Sequence, residues 1–117
     1  SLLRGKETSI YGDGKTSRDF CYVANTVQAN LLAATSKAAT GNVYNISVGK
    51  RTSLNNLHRQ LRLLTGNKAR PEYQPFREGD VKHSLADISA AKRDLDFRPT
   101  HAIEEGLELT VEWYKQK

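Results

Sequence analysis

Leu54, Leu57, Leu61 and Leu64 recur at three- and four-residue intervals, the spacing of a helix that buries one face. Ser53 or Thr52 stands where such a helix is capped, and Gly66 where it ends as the residue beyond the last turn. Ile103, Leu107, Val111 and Tyr114 repeat the period near the C-terminus, predicting a helix opened by Thr100 after Pro99. A shorter helix is expected near Asp87 to Leu95, with Ile88, Ala91 and Leu95 inward. A fourth is expected from Thr26 to about Lys37, with Asn25 as N-cap and Val27, Leu31 and Ala34 on one face.

Between these lie short runs of strand character. "TSIYG" reads as a strand closed by the Gly12-Asp13-Gly14 turn, where glycine supplies positive φ. "RDFCYV" is aromatic and β-branched, and predicts a second strand. "VYNISV", Val43 to Val48, is nearly continuous in β-favouring residues, as a strand buried on both faces is. Pro71 to Phe76 is expected to be extended. The pattern is α/β, with short strands and about four helices, and it contains no repeat or linker, so residues 1–117 are read as a single domain.

Length and composition narrow the class. The 117 residues are 38% hydrophobic and 26% charged, enough to bury a core without disulfides. No apolar run approaches the roughly 20 residues of a membrane span, and "SLLRGKETS" has neither a signal-peptide nor a transit-peptide pattern. Cys21 is the sole cysteine; its apolar neighbours predict a buried thiol and a cytoplasmic setting. The net charge of +5 fits a phosphorylated small molecule or a nucleic acid. The basic residues are dispersed, however, and aromatic interleaving of the RNA-binding kind is absent. His58 and His101 lack metal-ligand spacing and are expected to be solvated.

Two arginines sit beside glycine turns: Arg18 after "YGDGK" and Arg77 in "PFREGDV". A guanidinium donates two parallel hydrogen bonds to phosphate oxygens and stays charged. Asp80, three residues after Arg77, could accept from sugar hydroxyls. Ordinary surface charge on two loops is the competing reading, and an exposed Arg18–Asp19 pair would contribute little.

The segments "YGDGKTSRDFCYVANTVQANLLA", "NVYNISVGKRTSLNNL", "FREGDVKHSLADISAAK" and "FRPTHAIEEGLELTVEWY" follow one another in this order. Together they resemble the C-terminal, substrate-binding part of the extended short-chain dehydrogenases/reductases. The likeness is greatest to the UDP-hexose and UDP-N-acetylhexosamine 4-epimerases, and UDP-glucuronate epimerases and decarboxylases and nucleotide-sugar dehydratases share the pattern. The resemblance implies a partial architecture of that fold. It also implies site roles: Arg18 and Arg77 grip a substrate diphosphate, and Asp80 reaches the ribose. Ser9 and Tyr11 offer backbone groups to the uracil, and Phe20 lines the nucleotide pocket. Where family members usually carry aspartate this chain has Asn25, and both residues cap helices well.

In the proteins it resembles, NAD is held by a G-x-x-G-x-x-G turn at a helix N-terminus, and a Tyr-x-x-x-Lys pair moves protons. This chain has no such glycine motif. Of its five tyrosines only Tyr11 has a lysine four residues on, Lys15, and that pair spans a turn. The expectation is therefore a truncated UDP-sugar epimerase that keeps UDP or UDP-sugar recognition, binds no cofactor itself and is inactive alone. The alternatives are a free-standing binding or regulatory module and a basic nucleic-acid binder. In the proteins it resembles, the strand matching "VYNIS" joins the Rossmann sheet and the helix matching Thr26 to Lys37 packs on it. The resemblance thus implies an open strand edge at Val43–Val48 beside an apolar helix face, and with it a homo-oligomer held through residues 20–48 or a missing N-terminal Rossmann half as partner.

Overall fold

The computed structural model describes residues Ser1–Lys117. After a single 3-10 turn at Leu2–Arg4 come β1 (Ser9–Tyr11), β2 (Ser17–Arg18) and α1 (Val23–Thr35). A second such turn follows at Lys37–Ala39. Then come β3 (Thr52–Ser53), α2 (Leu54–Thr65), β4 (Glu72–Gln74), α3 (Ser89–Leu95) and α4 (Ile103–Lys115). β1 pairs in parallel with β4, Ile10 opposite Tyr73, while β2 and β3 form a short antiparallel pair with Arg18 opposite Thr52. The chain is α/β with four helices. α2 is capped by Ser53, whose hydroxyl accepts from the Asn56 N–H, and ends at Gly66 in the left-handed region, φ 68°.

The core is small. Ala29 of α1 meets Ala91 and Leu95 of α3 and Phe97 beyond it, with Leu32, Ala33, Tyr44 and Ile46 closing the sides. The molecule is a slab of 49 × 36 × 18 Å with a radius of gyration of 16.6 Å, against about 13 Å for a compact chain of this length. Its accessible surface of 8134 Å² exceeds by about 1,700 Å² the roughly 6,400 Å² of a folded monomer of this mass.

Several expectations are corrected. "RDFCYV" is not a six-residue strand: within it only Arg18 is paired, opposite Thr52, and Val23 already belongs to α1. Asn25 is not an N-cap. α1 starts three residues earlier than expected, at Val23 after Tyr22 in extended conformation, and Asn25 is wholly buried. Val27 and Leu31 lie on the open face of α1 rather than on the face that packs against α3. Val43–Val48 forms no strand, because nothing in the chain pairs with it, and Val43 is 93% exposed. Thr100 precedes α4 by three residues and is spent on Asn25, the N-cap being Ala102. Tyr114 lies exposed on α4. Cys21 is half-buried, and His58 is buried instead of solvated. No helix is long and apolar enough to cross a membrane.

Candidate functional site

The glycine turn organises the site. Gly12 and Gly14 adopt φ of 82° and 71°, and a side chain on Gly14 would collide with that of Asn55. This closeness lets α2 dock end-on: the Leu54 and Asn55 N–H groups donate to the Thr16 and Gly14 carbonyls (2.9 and 3.0 Å), and Asn55 Nδ2 donates to the Asp13 carbonyl at 3.0 Å. Two N–H groups that a helix start leaves without intrahelical partners are thus satisfied by the turn. Between the turn, β1 and α2 lies a cavity of about 330 Å³ lined by Ser9, Tyr11, Thr16, Arg18, His58 and Asp80 among others, a volume within the range of small-molecule sites.

Successive residues of an extended chain face opposite ways, and Arg18 and Asp19 diverge accordingly. Arg18 faces the cavity, its Nη1 donating to the Ser17 and Lys82 carbonyls (2.9 and 3.4 Å). The Asp19 carboxylate turns the other way and accepts from the N–H groups of Val48, Gly49 and Ala86 (3.2, 2.9 and 3.4 Å). They are not a surface ion pair. Arg77 and Asp80 share a turn, the Asp80 N–H donating to the Arg77 carbonyl at 3.2 Å, with Gly79 at φ 85°. The Arg77 guanidinium lies 3.9 Å from the centre of the Tyr11 ring, a cation–π distance.

Backbone geometry also singles out Ser9 and Tyr11. The Thr8 carbonyl accepts from Glu72 and the Gly12 N–H donates to Gln74, so the β1 ladder runs through every second residue. The main-chain groups of Ser9 and Tyr11 therefore face the other edge, where no strand pairs. Phe20 lines clefts bordered by Leu107 and Thr110 of α4, one of which shares Thr8, Leu57 and Leu61 with the cavity that Arg18 lines. Sequence reasoning missed Asp19 as a tie between three segments, and it missed His58, whose Nε2 lies 2.8 Å from Thr8 Oγ1. A histidine among the leucines of an amphipathic helix was the available signal for the second.

None of the four ion pairs, Arg93–Asp94, Arg98–Asp96, His101–Glu105 and Lys115–Glu112, involves Arg18, Arg77 or Asp80. Their charge is uncommitted. Burial, and then the nearby Arg62, hold the His58 pKa below its ordinary value. No group of three or more His, Cys, Asp and Glu side chains could hold a metal ion. The residues present do not fit a dinucleotide cradle either. The parallel pair of β1 and β4 leads into no helix through a glycine-rich turn, and Tyr11 and Lys15 flank a turn rather than sharing a helix face.

The family model described as GDP-mannose 4,6 dehydratase matches residues 1–110. The chain belongs to this family. The family is that of the NAD-dependent epimerases/dehydratases, and the chain's relatives include sugar-nucleotide epimerases. A UDP-glucose 4-epimerase of Mycolicibacterium smegmatis is 35% identical over 117 residues, 100% of this chain and 37% of that protein. The crystal structure of a UDP-glucose 4-epimerase with UDP-glucose from Thermotoga maritima superposes with a TM-score of 0.93 at 43% identity, covering 98% of this chain and 37% of that one. A UDP-glucuronic acid 4-epimerase from Bacillus cereus, in complex with UDP-glucuronic acid and NAD, gives a TM-score of 0.90 at 30% identity, covering 98% and 37%. The chain thus spans somewhat over a third of the length of the family members it matches.

Proposed function

We propose that this chain is a nucleotide-sugar recognition unit that binds the uridine diphosphate portion of a UDP-sugar and is not catalytic on its own. The observation that carries this reading is the convergence of Arg18, Asp80 and the free backbone edge of Ser9 and Tyr11 on one cavity, with neither charge paired in an ion pair. Arg18 supplies a fixed guanidinium to phosphate oxygens, and Arg77, which is not among the lining residues but is braced on the ring of Tyr11, supplies a second. Asp80 accepts from ribose hydroxyls, and the edge of β1 reads the base. The 4-epimerases with UDP-glucose or UDP-glucuronic acid bound, named above, support the ligand class. NAD and the proton-transferring pair belong to a portion of the family fold outside these residues.

Isothermal titration calorimetry tests the reading. Each well-placed charge-assisted bond contributes about 1.5–3 kcal/mol. Arg18→Ala and Arg77→Ala should therefore each weaken UDP by about tenfold or more, leaving uridine nearly unaffected. Equal UDP binding by both variants and the parent would remove the phosphate-clamp assignment. Turnover of a UDP-hexose by the chain with added NAD would remove the non-catalytic one.

A further inference from the structure

We infer that His83 is a positioning residue for Arg18: its bond to the Ser17 hydroxyl clamps the joint that aims the guanidinium into the nucleotide cavity. The inference deepens the uridine-diphosphate reading and rests on it for the ligand. His83 Nδ1 lies 2.9 Å from Ser17 Oγ, 66 positions away in sequence. Ser17 is buried, whereas His83 stands at the surface. Around this contact the main chain closes a short ladder. The Ser17 N–H donates to the Lys82 carbonyl at 3.0 Å, and the Ser84 N–H donates to the Ser17 carbonyl at 3.1 Å. His83 thus lies beside β2 as a one-residue parallel bridge, while β3 holds the strand from the other side with Ser53 opposite Ser17.

The two carbonyls of this joint are the ones that hold Arg18. Its Nη1 donates to the Ser17 carbonyl at 2.9 Å and to the Lys82 carbonyl at 3.4 Å, so the guanidinium is tied to both segments at once. Those bonds occupy Nη1 alone, and the edge formed by Nε and Nη2 is left for the paired hydrogen bonds that a phosphate takes. A single bridge is a weak joint, and the His83–Ser17 bond is its one tie between side chains. That bond persists whichever nitrogen carries the proton, since a hydroxyl both donates and accepts. Its role is constraint, not titration. A group already held in its bound arrangement loses less freedom when the ligand arrives, so loosening the joint should cost affinity through Arg18.

The test combines side-chain NMR of Arg18 with titrations of UDP and uridine. In the parent the tethered guanidinium should show resolved Nη–H signals, and in His83→Ala these should average as the group turns freely. UDP should bind about fivefold more weakly to His83→Ala, the effect of one net hydrogen bond, while uridine is unchanged. His83→Asn, whose side-chain oxygen can take the place of Nδ1, should restore both the signals and the affinity. Ser17→Ala should match His83→Ala, and the double variant should be no worse than either. In an Arg18→Ala background His83→Ala should have no further effect on UDP. If UDP binds His83→Ala as it binds the parent, or if the loss is equal for uridine or in the Arg18→Ala background, the inference is wrong and His83 is merely structural. If the Arg18 signals respond to His83→Ala and recover in His83→Asn but UDP binds no variant, the positioning stands and the ligand reading fails instead.

Discussion

Asn25 and His101 exchange two hydrogen bonds across the molecule: Asn25 Nδ2 donates to the His101 carbonyl at 2.9 Å, and the His101 N–H donates to Asn25 Oδ1 at 3.1 Å. The same oxygen accepts from the Thr100 N–H at 2.9 Å and the Thr100 hydroxyl at 3.3 Å. A fully buried amide on α1 thus fixes the loop that leads into α4, and it needs both its donor and its acceptor to do so.

Asn25→Ala should therefore be severe. It strips partners from two backbone N–H groups and one carbonyl, each costing about 1–3 kcal/mol when left unsatisfied in the interior. A loss of about 3 kcal/mol or more in urea denaturation is expected. Asn25→Asp keeps the acceptor but sets a carboxylate against the His101 carbonyl. That carboxyl is expected to bind its proton more tightly folded than unfolded, so the variant's deficit relative to the parent should shrink as pH falls from 7 to 4. A deficit independent of pH would mean that the carbonyl has turned away.

This pair also shows where sequence reasoning stopped. Asn before an apolar period is a capping signal, and the local pattern cannot reveal that residues 100 and 101 come to meet it. α2 was legible to within a residue because its cap, its stripe and Gly66 are all local in sequence, and α3 was legible through Ile88, Ala91 and Leu95. Val43–Val48 was read as a strand because its composition suits one, but pairing requires a neighbour that residues 1–117 do not supply. The site divided in the same way. Arg18, Asp80, Ser9 and Tyr11 line one cavity, Arg77 and Phe20 are not among its lining residues, and the His58–Thr8 contact spans too much sequence to be foreseen.

Gly106 offers a test of packing against propensity. It lies buried on α4, where a Cβ would stand 2.7 Å from Tyr22 Cβ and 3.0 Å from Tyr22 Cγ. Helix propensity alone favours alanine there by about 1 kcal/mol. Overpacking costs about 1–3 kcal/mol, and the atom in the way is a Cβ fixed to backbone, not a flexible tip. Gly106→Ala should lower the thermal midpoint in circular dichroism. A raised midpoint would show that α1 and α4 can separate freely.

Acid should destabilise the fold in two steps. His58 resists protonation when folded, so as pH falls below the ordinary value of 6.5 the unfolded chain gains a proton that the native state refuses, and stability declines. Asp87 behaves in the opposite sense. Hydrogen bonds from the Ser89 side chain and backbone hold its pKa below the ordinary 3.8, so its contribution is present above that value and is lost as pH falls through its folded pKa. His58→Gln should abolish the upper step and leave the lower one. Identical stability profiles for parent and variant between pH 7 and 5 would contradict this assignment.

Self-association is the last expected outcome. Val23, Val27 and Leu31 recur every four residues along α1 and are 63%, 52% and 66% exposed, forming one apolar stripe on the face away from α3. Val43 lies beyond the end of the helix at 93% exposure, in the segment without a strand partner. Scattered apolar residues on a surface need no explanation, but an aligned set beside unpaired backbone marks an interface. The surface beyond that of a compact monomer, about 1,700 Å², exceeds the roughly 800 Å² each partner contributes to a standard interface. In the isolated chain the available occupant is a second copy, and in a longer protein a Rossmann half could cover the same face. Sedimentation at micromolar concentration should report a dimer or larger species. Val27→Glu with Leu31→Glu should convert it to a monomer, and helical content should persist because both residues point away from the core. A parent chain that sediments as a monomer up to about 100 μM, well above the micromolar Kd of a moderate interface, would show that this stripe does not drive association.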